Sequence, residues 1–463
     1  MVNQRRWLWV IFSLYFVLAV GYSLLMPLWE APDEPAHFHL AWRIVRKGEY
    51  APEEINYEAV QPRPYYYFAS LIVRGMDQIN PRFSDYYFPH EFKFNIRVPK
   101  PRFDWNHKNY RFLLGIYLLR WINILFGGLA LWLNWKTFCL IAPDKVTLRL
   151  GALALAALTP QYLHIMSSVN NDVWGTVAGA LLFYLGIQII SENRSDDFSL
   201  SLSRDDAAVA RSVPPASSTT ADRTITFWLS LLAIILALVL PLTTKLTVLP
   251  VSAALLVIIG VKWFLSLQQK RWFLLAAVMI FAGGVFLYLF FPESIQTAAN
   301  EINWRLFGLR KKGIPMEYLE RISNQIIQTY WGKVGWLAVG LPNWIFNLMT
   351  ALGFLGAAIY IHKLVRLKTK EPQFHLWTST FLIALFTILA VARNGLTTGA
   401  TQGRLLFPAI GAISILMVSG WHEILPERYQ HRLPFFILIL MFLLNIALWG
   451  FGILPVYFQP FLD

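Results

Sequence analysis

Residues 29–39 read WEAPDEPAHFH. Asp33 and Glu34 are adjacent carboxylates, and His37 and His39 add two imidazoles within a turn or two of helix. A carboxylate can take the proton of an attacking hydroxyl, and carboxylates with imidazoles can hold a divalent cation. On a helix His37 lies one turn from Asp33 and Glu34 but His39 turns away, so these four leave a metal ligand set incomplete. A plainer reading stands beside the chemical one. Pro35 suits a first helical turn and acidic side chains suit the positive end of a helix dipole, so capping alone would also account for the two carboxylates.

The stretch comes directly after WLWVIFSLYFVLAVGYSLLMPL, a run long enough to cross a bilayer. Composition extends that reading to the whole chain. Of 463 residues, 56% are hydrophobic, 16% aromatic and only 14% charged, with a mean hydropathy of +0.47. A soluble domain cannot hide so much apolar surface. Cys139 is the lone cysteine, which leaves no internal disulfide framework and argues against a thiolate metal site. The net charge of +13 is scattered through loops between apolar runs. That pattern suits membrane topology and anionic lipid, and no nucleic-acid partner is expected.

Runs of about 20 apolar residues fall near 7–27, 112–133, 147–166, 172–190, 225–241, 246–266, 272–291, 342–364, 375–392, 404–420 and 434–455. The expected fold is therefore an all-α polytopic membrane protein of about eleven spans, a single transmembrane domain over residues 1–463. The first run follows Arg5 and Arg6 without a small-residue cleavage site, so it reads as an uncleaved span. With the N-terminus inside, the inner connections carry Lys136, Lys145, Lys262, Lys270, Arg271, Lys363, Arg366, Lys368, Lys370, Arg428 and Arg432. The short outer ones hold Lys245, Arg393 and Arg404. Residues 191–223, rich in Ser, Asp and Arg, read as a disordered inner linker. Two long loops, about 28–111 and 292–341, lie outside.

In the first outer loop, PAHFHLAWRIVRK puts Phe38, Ala41, Trp42 and Val45 on one helical face, as for a helix lying flat on the leaflet. QPRPYYYFASLIVRG, residues 61–75, opens with a proline-broken turn and is too short to span, so it too is expected at the interface. Residues 80–109 are polar and aromatic, the pairing that suits sugar faces and their hydroxyls, although an interfacial aromatic belt explains single rings equally well. Four further polar clusters map to the same side: SVNND at 168–172, PLTTK at 241–245, QTYWGKVGW at 328–336 and TTGATQGR at 397–404. Loops with independent structural tasks need not converge on one face, whereas a membrane-surface active site requires it. His164, alone in an apolar run, reads as a satisfied packing residue.

Taken together, PDEPAHF, QPRPYYY, NND, TTK, YWGKVGW and QGRLLFP resemble the GT-C superfamily of integral membrane glycosyltransferases. The layout, over about residues 1–420, is similar to that of protein O-mannosyltransferases and lipid A aminoarabinose transferases. The resemblance implies a large first outer loop bearing an acidic residue, a polyprenyl-phosphate sugar as donor, and a bacterial inner membrane with the site on its extracytoplasmic face. That acidic residue falls on Asp33, with Glu34 as its catalytic neighbour. The pattern departs at the turn, where Arg63 separates Pro62 from Pro64.

Sugar transfer from a lipid phosphate needs a base beside the attacking hydroxyl and positive charge beside the departing phosphate. Asp33 is the expected base, and Lys245, Arg404 and Lys333 the expected cations. His37, Gln61, Asn171, Asp172 and Gln402 complete the expected substrate-binding set. No cofactor is expected, a divalent metal at the first carboxylates being the one alternative. The acceptor is a glycan, lipid or protein. A transporter or flippase of lipid-linked sugars, and a glycan polymerase or ligase, remain alternative functions.

Overall fold

The computed structural model describes residues 3–79, 110–192, 220–265, 316–366, 372–398 and 401–458. Among these the chain is helical without strands, its one β-bridge joining Val334 to Val339. Among the described residues, seven helices are long and apolar enough to cross a membrane, and three shorter apolar helices accompany them. The expected span at 272–291 and the aromatic segment 80–109 lie outside the described residues, as does most of the expected linker.

Helix α1 (Gln4–Leu25) starts on the side chain of Asn3, which accepts from Arg6 N–H at 3.1 Å. Helix α2 (Glu34–Lys47) stops at Gly48, whose φ of +71° supplies the left-handed residue that ends many helices. Phe38, Ala41 and Trp42 of α2 are buried as their spacing requires. They pack with α3 (Pro64–Ile79), with Ile116 and Leu119 of α4 (Tyr110–Ile141), and with Val169, so this face is covered by protein.

The run expected as one span at 147–166 is divided. Helix α5 (Val146–Leu158) gives way at Thr159 to α6 (Pro160–Met166). The proline ring disfavours a helical conformation at the residue before it, and Thr159 is extended (φ −60°, ψ 119°). After a turn, α7 (Asp172–Glu192) begins, followed by α8 (Thr220–Thr243), which takes in the last positions of the expected linker, and α9 (Leu249–Leu265). Helix α10 (Met316–Trp331) lies in the second long loop, ahead of α11 (Asn343–Arg366) and α12 (Pro372–Thr398). The span expected at 404–420 opens as a 3₁₀ segment, Gly403–Ala409, before α13 (Ile410–Ile424). The last span runs through α14 (Leu433–Ala447), a π-helical segment Leu448–Ile453 and α15 (Leu454–Phe458).

Two glycines bring the 3₁₀ segment against its neighbours. A Cβ on Gly179 of α7 would stand 2.2 Å from the carbonyl oxygen of Pro408, and one on Gly403 would stand 2.3 Å from the backbone nitrogen of Tyr330 on α10. Only glycine permits both approaches. Gly403 N–H also donates to Thr329 Oγ1 at 2.6 Å. The segment is thereby wedged between α7 and α10 at the end of the bundle where α1 finishes and α7 starts. At the other end Glu423 accepts from Lys145 (3.1 Å) and Lys363 (2.5 Å), tying α13 to the α4–α5 connection and to α11.

Candidate active site

Asp33 occupies the N-cap position of α2, and its backbone carbonyl accepts from His37 N–H at 3.0 Å. Its side chain makes no capping bond. The backbone is left-handed there (φ +62°), a conformation that costs a residue with a Cβ about 1–3 kcal/mol. The carboxylate instead pairs with Arg404, whose Nη2 donates to Oδ2, while the Tyr57 hydroxyl donates to Oδ1 at 2.9 Å. Capping therefore does not account for Asp33.

The loop that presents it is held from outside. Trp29 also has positive φ (+72°), and its carbonyl accepts from Trp336 Nε1 at 3.0 Å. Tyr457 of α15 donates to Glu30 Oε2 at 2.9 Å. Leu337, beside Trp336, is the third left-handed residue with a Cβ among the described residues. Strain of this kind collects where function demands a set geometry.

Arg404 serves two carboxylates. Its Nη1 lies 3.2 Å from Asp172 Oδ2 and donates to the Pro32 carbonyl at 3.4 Å. Asp172 begins α7, and its Oδ1 lies 2.6 Å from Lys245 Nζ, which also donates to Asn171 Oδ1 at 3.0 Å. Asp33, Arg404, Asp172 and Lys245 thus form one chain of alternating charge that balances to zero. Burial works to raise the Asp33 carboxyl, but the Arg404 charge and the hydrogen bonds from Arg404 and Tyr57 outweigh it and hold the group below its ordinary value. Burial and then the Asp33 charge push the Tyr57 hydroxyl well above the usual phenol range, so it remains a donor.

Beside this chain sit His37 and Glu58. Asn56 caps the 3₁₀ turn Tyr57–Val60, accepting from Glu58 N–H at 2.9 Å and donating to the Ala36 carbonyl at 2.9 Å. That turn sets Glu58 Oε2 3.9 Å from His37 Nε2, while His37 Nδ1 meets the Tyr66 hydroxyl at 2.9 Å. Burial and then the Lys245 charge push His37 down to about 3, so the imidazole is neutral. Burial and then Asp33 push Glu58 up to about 7. Ligand atoms of Asp33, His37 and Glu58 lie within 4.8 Å of one another. Two carboxylates with a neutral imidazole fit a divalent cation, which at this place would compete with Arg404 for Asp33.

Glu34 is placed differently from the expected catalytic neighbour. It is fully buried. Its Oε1 accepts from Arg120 Nε (2.7 Å) and Val169 N–H (3.0 Å), and its Oε2 from Arg120 Nη2 (2.6 Å) and Trp29 N–H (3.0 Å). Arg120 spends its remaining donors on the carbonyls of Ser23, Met26 and Pro27 at 2.7, 2.9 and 3.2 Å. The pair joins the end of α1, the Trp29 loop and the turn before α7. With four donors on its two oxygens, Glu34 is arranged to position that loop.

The alternative metal set of Asp33, Glu34, His37 and His39, which helix spacing already left incomplete, is not assembled, since Arg120 holds Glu34 and His39 Nδ1 faces Asn56 Nδ2 at 3.2 Å. Gln61 ends the 3₁₀ turn, its backbone N–H donating to Glu58 O at 3.0 Å. Lys333 donates to Gln328 Oε1 at 2.8 Å and pairs with neither Asp33 nor Asp172. Gln402 directly precedes the 3₁₀ segment, and its Oε1 is buried with no hydrogen-bond partner among the described residues. His164 is no satisfied packing residue, because both of its buried ring nitrogens are without such a partner.

No protein-family model matches the chain, and no curated protein matches it. Among solved structures it is similar to ArnT from Cupriavidus metallidurans bound to undecaprenyl phosphate, with 11% identity and a TM-score of 0.46, covering 97% of this chain and 74% of that one. It is also similar to the oligosaccharyltransferase of Archaeoglobus fulgidus in its apo form, with 12% identity and a TM-score of 0.43, covering 97% of this chain and 55% of that one.

Sequence reasoning missed Arg120, Tyr57 and Glu58. Arg120 carried a usable signal, since an arginine within an apolar run such as LLGIYLLRWINILFGG needs a buried partner. Tyr57 and Glu58 carried none. They sit in a polar connection, NYEAV, whose turn is made by Asn56 and by packing on α2.

Proposed function

We propose that this protein is a glycosyltransferase that moves a sugar from a polyprenyl-phosphate carrier to an acceptor hydroxyl on the extracytoplasmic face of a membrane. The observation that carries the reading is the diversion of Asp33 from its own helix terminus to Arg404, which brings a carboxylate base and two buried cations to one end of an apolar helical bundle. The motifs QGRLLFP, TTK, NND and PDEPAHF, scattered through the sequence, supply Arg404, Lys245, Asp172 and Asp33 to that one network.

In this reaction the acceptor oxygen attacks the anomeric carbon and its proton passes to Asp33. The bond from that carbon to the phosphate oxygen breaks, and its electron pair leaves with the phosphate beside Arg404 and Lys245. Charge balance adds an order to the events. Both cations are already paired, so a carrier phosphate has to draw Arg404 away from Asp33, and in doing so it releases Asp33 as the base. Asp172 keeps the two cations close to each other throughout. His37 and Tyr57 border the base and are placed to meet the acceptor, whereas Gln61 and Lys333 carry no step.

The test is transfer by purified protein from a C15 polyprenyl-phosphate hexose or pentose to an envelope extract, followed by release of polyprenyl phosphate. Release that depends on Asp33 is expected. No release with either donor, or equal release by Asp33→Asn, overturns the reading. The face is tested separately in a Cys139→Ser background. A membrane-impermeant maleimide added outside should label Ile55→Cys, at the site end, and not Tyr429→Cys, at the other end.

A further inference from the structure

Gln161 and His164 stand three positions apart on α6 and so share one face of it. Both side chains are buried, at 0% and 1% exposure. Neither atom of the Gln161 amide and neither nitrogen of the His164 ring has a hydrogen-bond partner among the described residues. The nearby Tyr22, its ring centroid 6.3 Å from the imidazole, does not serve them: its hydroxyl donates to Asn445 Oδ1 at 2.8 Å. Asn445 in turn spends its amide on the carbonyls of Leu158 and Met441, at 2.8 and 2.7 Å.

Helix α6 packs on the 3₁₀ segment that bears Arg404, with the rings of Tyr162 and Phe407 5.5 Å apart. Arg404 Nε on that segment and Gln402 Oε1 directly before it are two more buried polar atoms that lack a partner among the described residues. A buried polar atom left unpaired costs about as much as a lost hydrogen bond, and a leucine or phenylalanine in place of Gln161 or His164 would avoid that cost. The four groups offer donors and acceptors in a mixture: an amide with both, an imidazole with one of each, a carbonyl acceptor and a guanidinium donor. A phosphate only accepts, whereas each sugar hydroxyl both donates and accepts, so this mixture suits a sugar.

We propose that Gln161 and His164, with Gln402 and Arg404 Nε, form the subsite that binds the hydroxyls of the donor's sugar ring. The proposal rests on the transfer reaction above and assigns to α6 the discrimination between a loaded and an empty carrier.

The test uses the full chain in detergent and measures binding of a C15 polyprenyl phosphate, bare and carrying a hexose or a pentose. Wild type is expected to prefer one of the loaded carriers to the bare one. Gln161→Leu and His164→Phe should each weaken binding of that loaded carrier roughly tenfold or more, leave the bare carrier unchanged, and melt no lower than wild type, since each removes an unpaired buried polar group. His164→Gln, which restores a donor and an acceptor, should recover part of the loss. If the two residues are only hydrated, the apolar variants will keep the wild-type preference, and the subsite is overturned. A wild type that binds bare and loaded carriers alike overturns it too. Wild type binding neither carrier sinks the transferase reading itself, a distinct outcome. Should an apolar variant fail to fold, Gln161→Asn, one methylene shorter, decides in its place: lost preference supports the subsite and retained preference overturns it.

Discussion

Arg404 and Asp33 lie 371 positions apart in the chain and form an ion pair largely withdrawn from solvent, with side-chain exposures of 7% and 17%. The pair keeps the base occupied until another anion claims the guanidinium.

Asp33→Asn retains the shape of the side chain and loses its negative charge. Transfer should fall by roughly 10²-fold or more, the usual scale for a general base, while the carrier binds at least as tightly as to wild type, because its phosphate no longer competes with a carboxylate at position 33 for Arg404, which Asp172 still holds. Near-full activity in the steady-state assay would return Asp33 to a purely structural role.

Arg404→Lys keeps the charge and loses the fork that reaches Asp33 and Asp172 together. An ammonium cannot span both carboxylates, so kcat/KM for the donor should drop by about tenfold or more. An unchanged value would mean that Arg404 acts as a point charge alone.

The two unequal carboxylates give opposite pH responses. Asp33 is held below its ordinary value, so its stabilising contribution is present above the unfolded carboxylate pKa and is lost only as pH falls through the lower folded value. The acid limb of kcat/KM should lie below about 4, the ordinary Asp value, and Tyr57→Phe, which removes one hydrogen bond to the carboxylate, should move it upward. An acid limb that ignores Tyr57→Phe would separate the phenol from the base.

Glu58, pushed up to about 7, works the other way. Its burial costs stability as pH rises from the unfolded Glu value through about 7, because the unfolded chain ionises it first. Glu58→Gln should therefore melt above wild type at pH 8, with the gap closing near pH 4. Equal melting curves at both values would show that Glu58 is already ionised without penalty.

Glu34 distinguishes positioning from chemistry. Removing one member of a buried ion pair leaves the other charge uncompensated, so Glu34→Ala should cost about 3–5 kcal/mol of unfolding free energy by denaturant titration. A catalytic Glu34 would show the reverse, lost transfer at unchanged stability.

Hydropathy is a local property, and what depends on it was legible in the sequence. The apolar runs at 7–27, 172–190, 342–364 and 375–392 became α1, α7, α11 and α12 because a backbone in lipid has to satisfy its own hydrogen bonds within each segment. Pro35 marked the start of α2, and the spacing of Phe38, Ala41 and Trp42 marked its buried face, though not that protein would cover it. Pro160 could have marked the break between α5 and α6, but the apolar character on both sides concealed it. Motif types also pointed to Asp33, Asp172, Lys245 and Arg404, and topology suggested that they share an end.

Partnership was the part that only the tertiary structure decided. Asp33 and Glu34 are neighbours in sequence with identical chemistry, yet one meets Arg404 and the other Arg120. The division follows from the left-handed turn at Asp33 and from two close helix approaches, Gly179 on Pro408 and Gly403 on Tyr330, that bring Arg404 to the mouth of α1. It follows equally from the burial of Arg120, whose fixed fork can be satisfied only by a carboxylate and the freed carbonyls ending α1. Which charge pairs with which is set by distance and desolvation in the packed state, and those are relations between segments that no single segment contains.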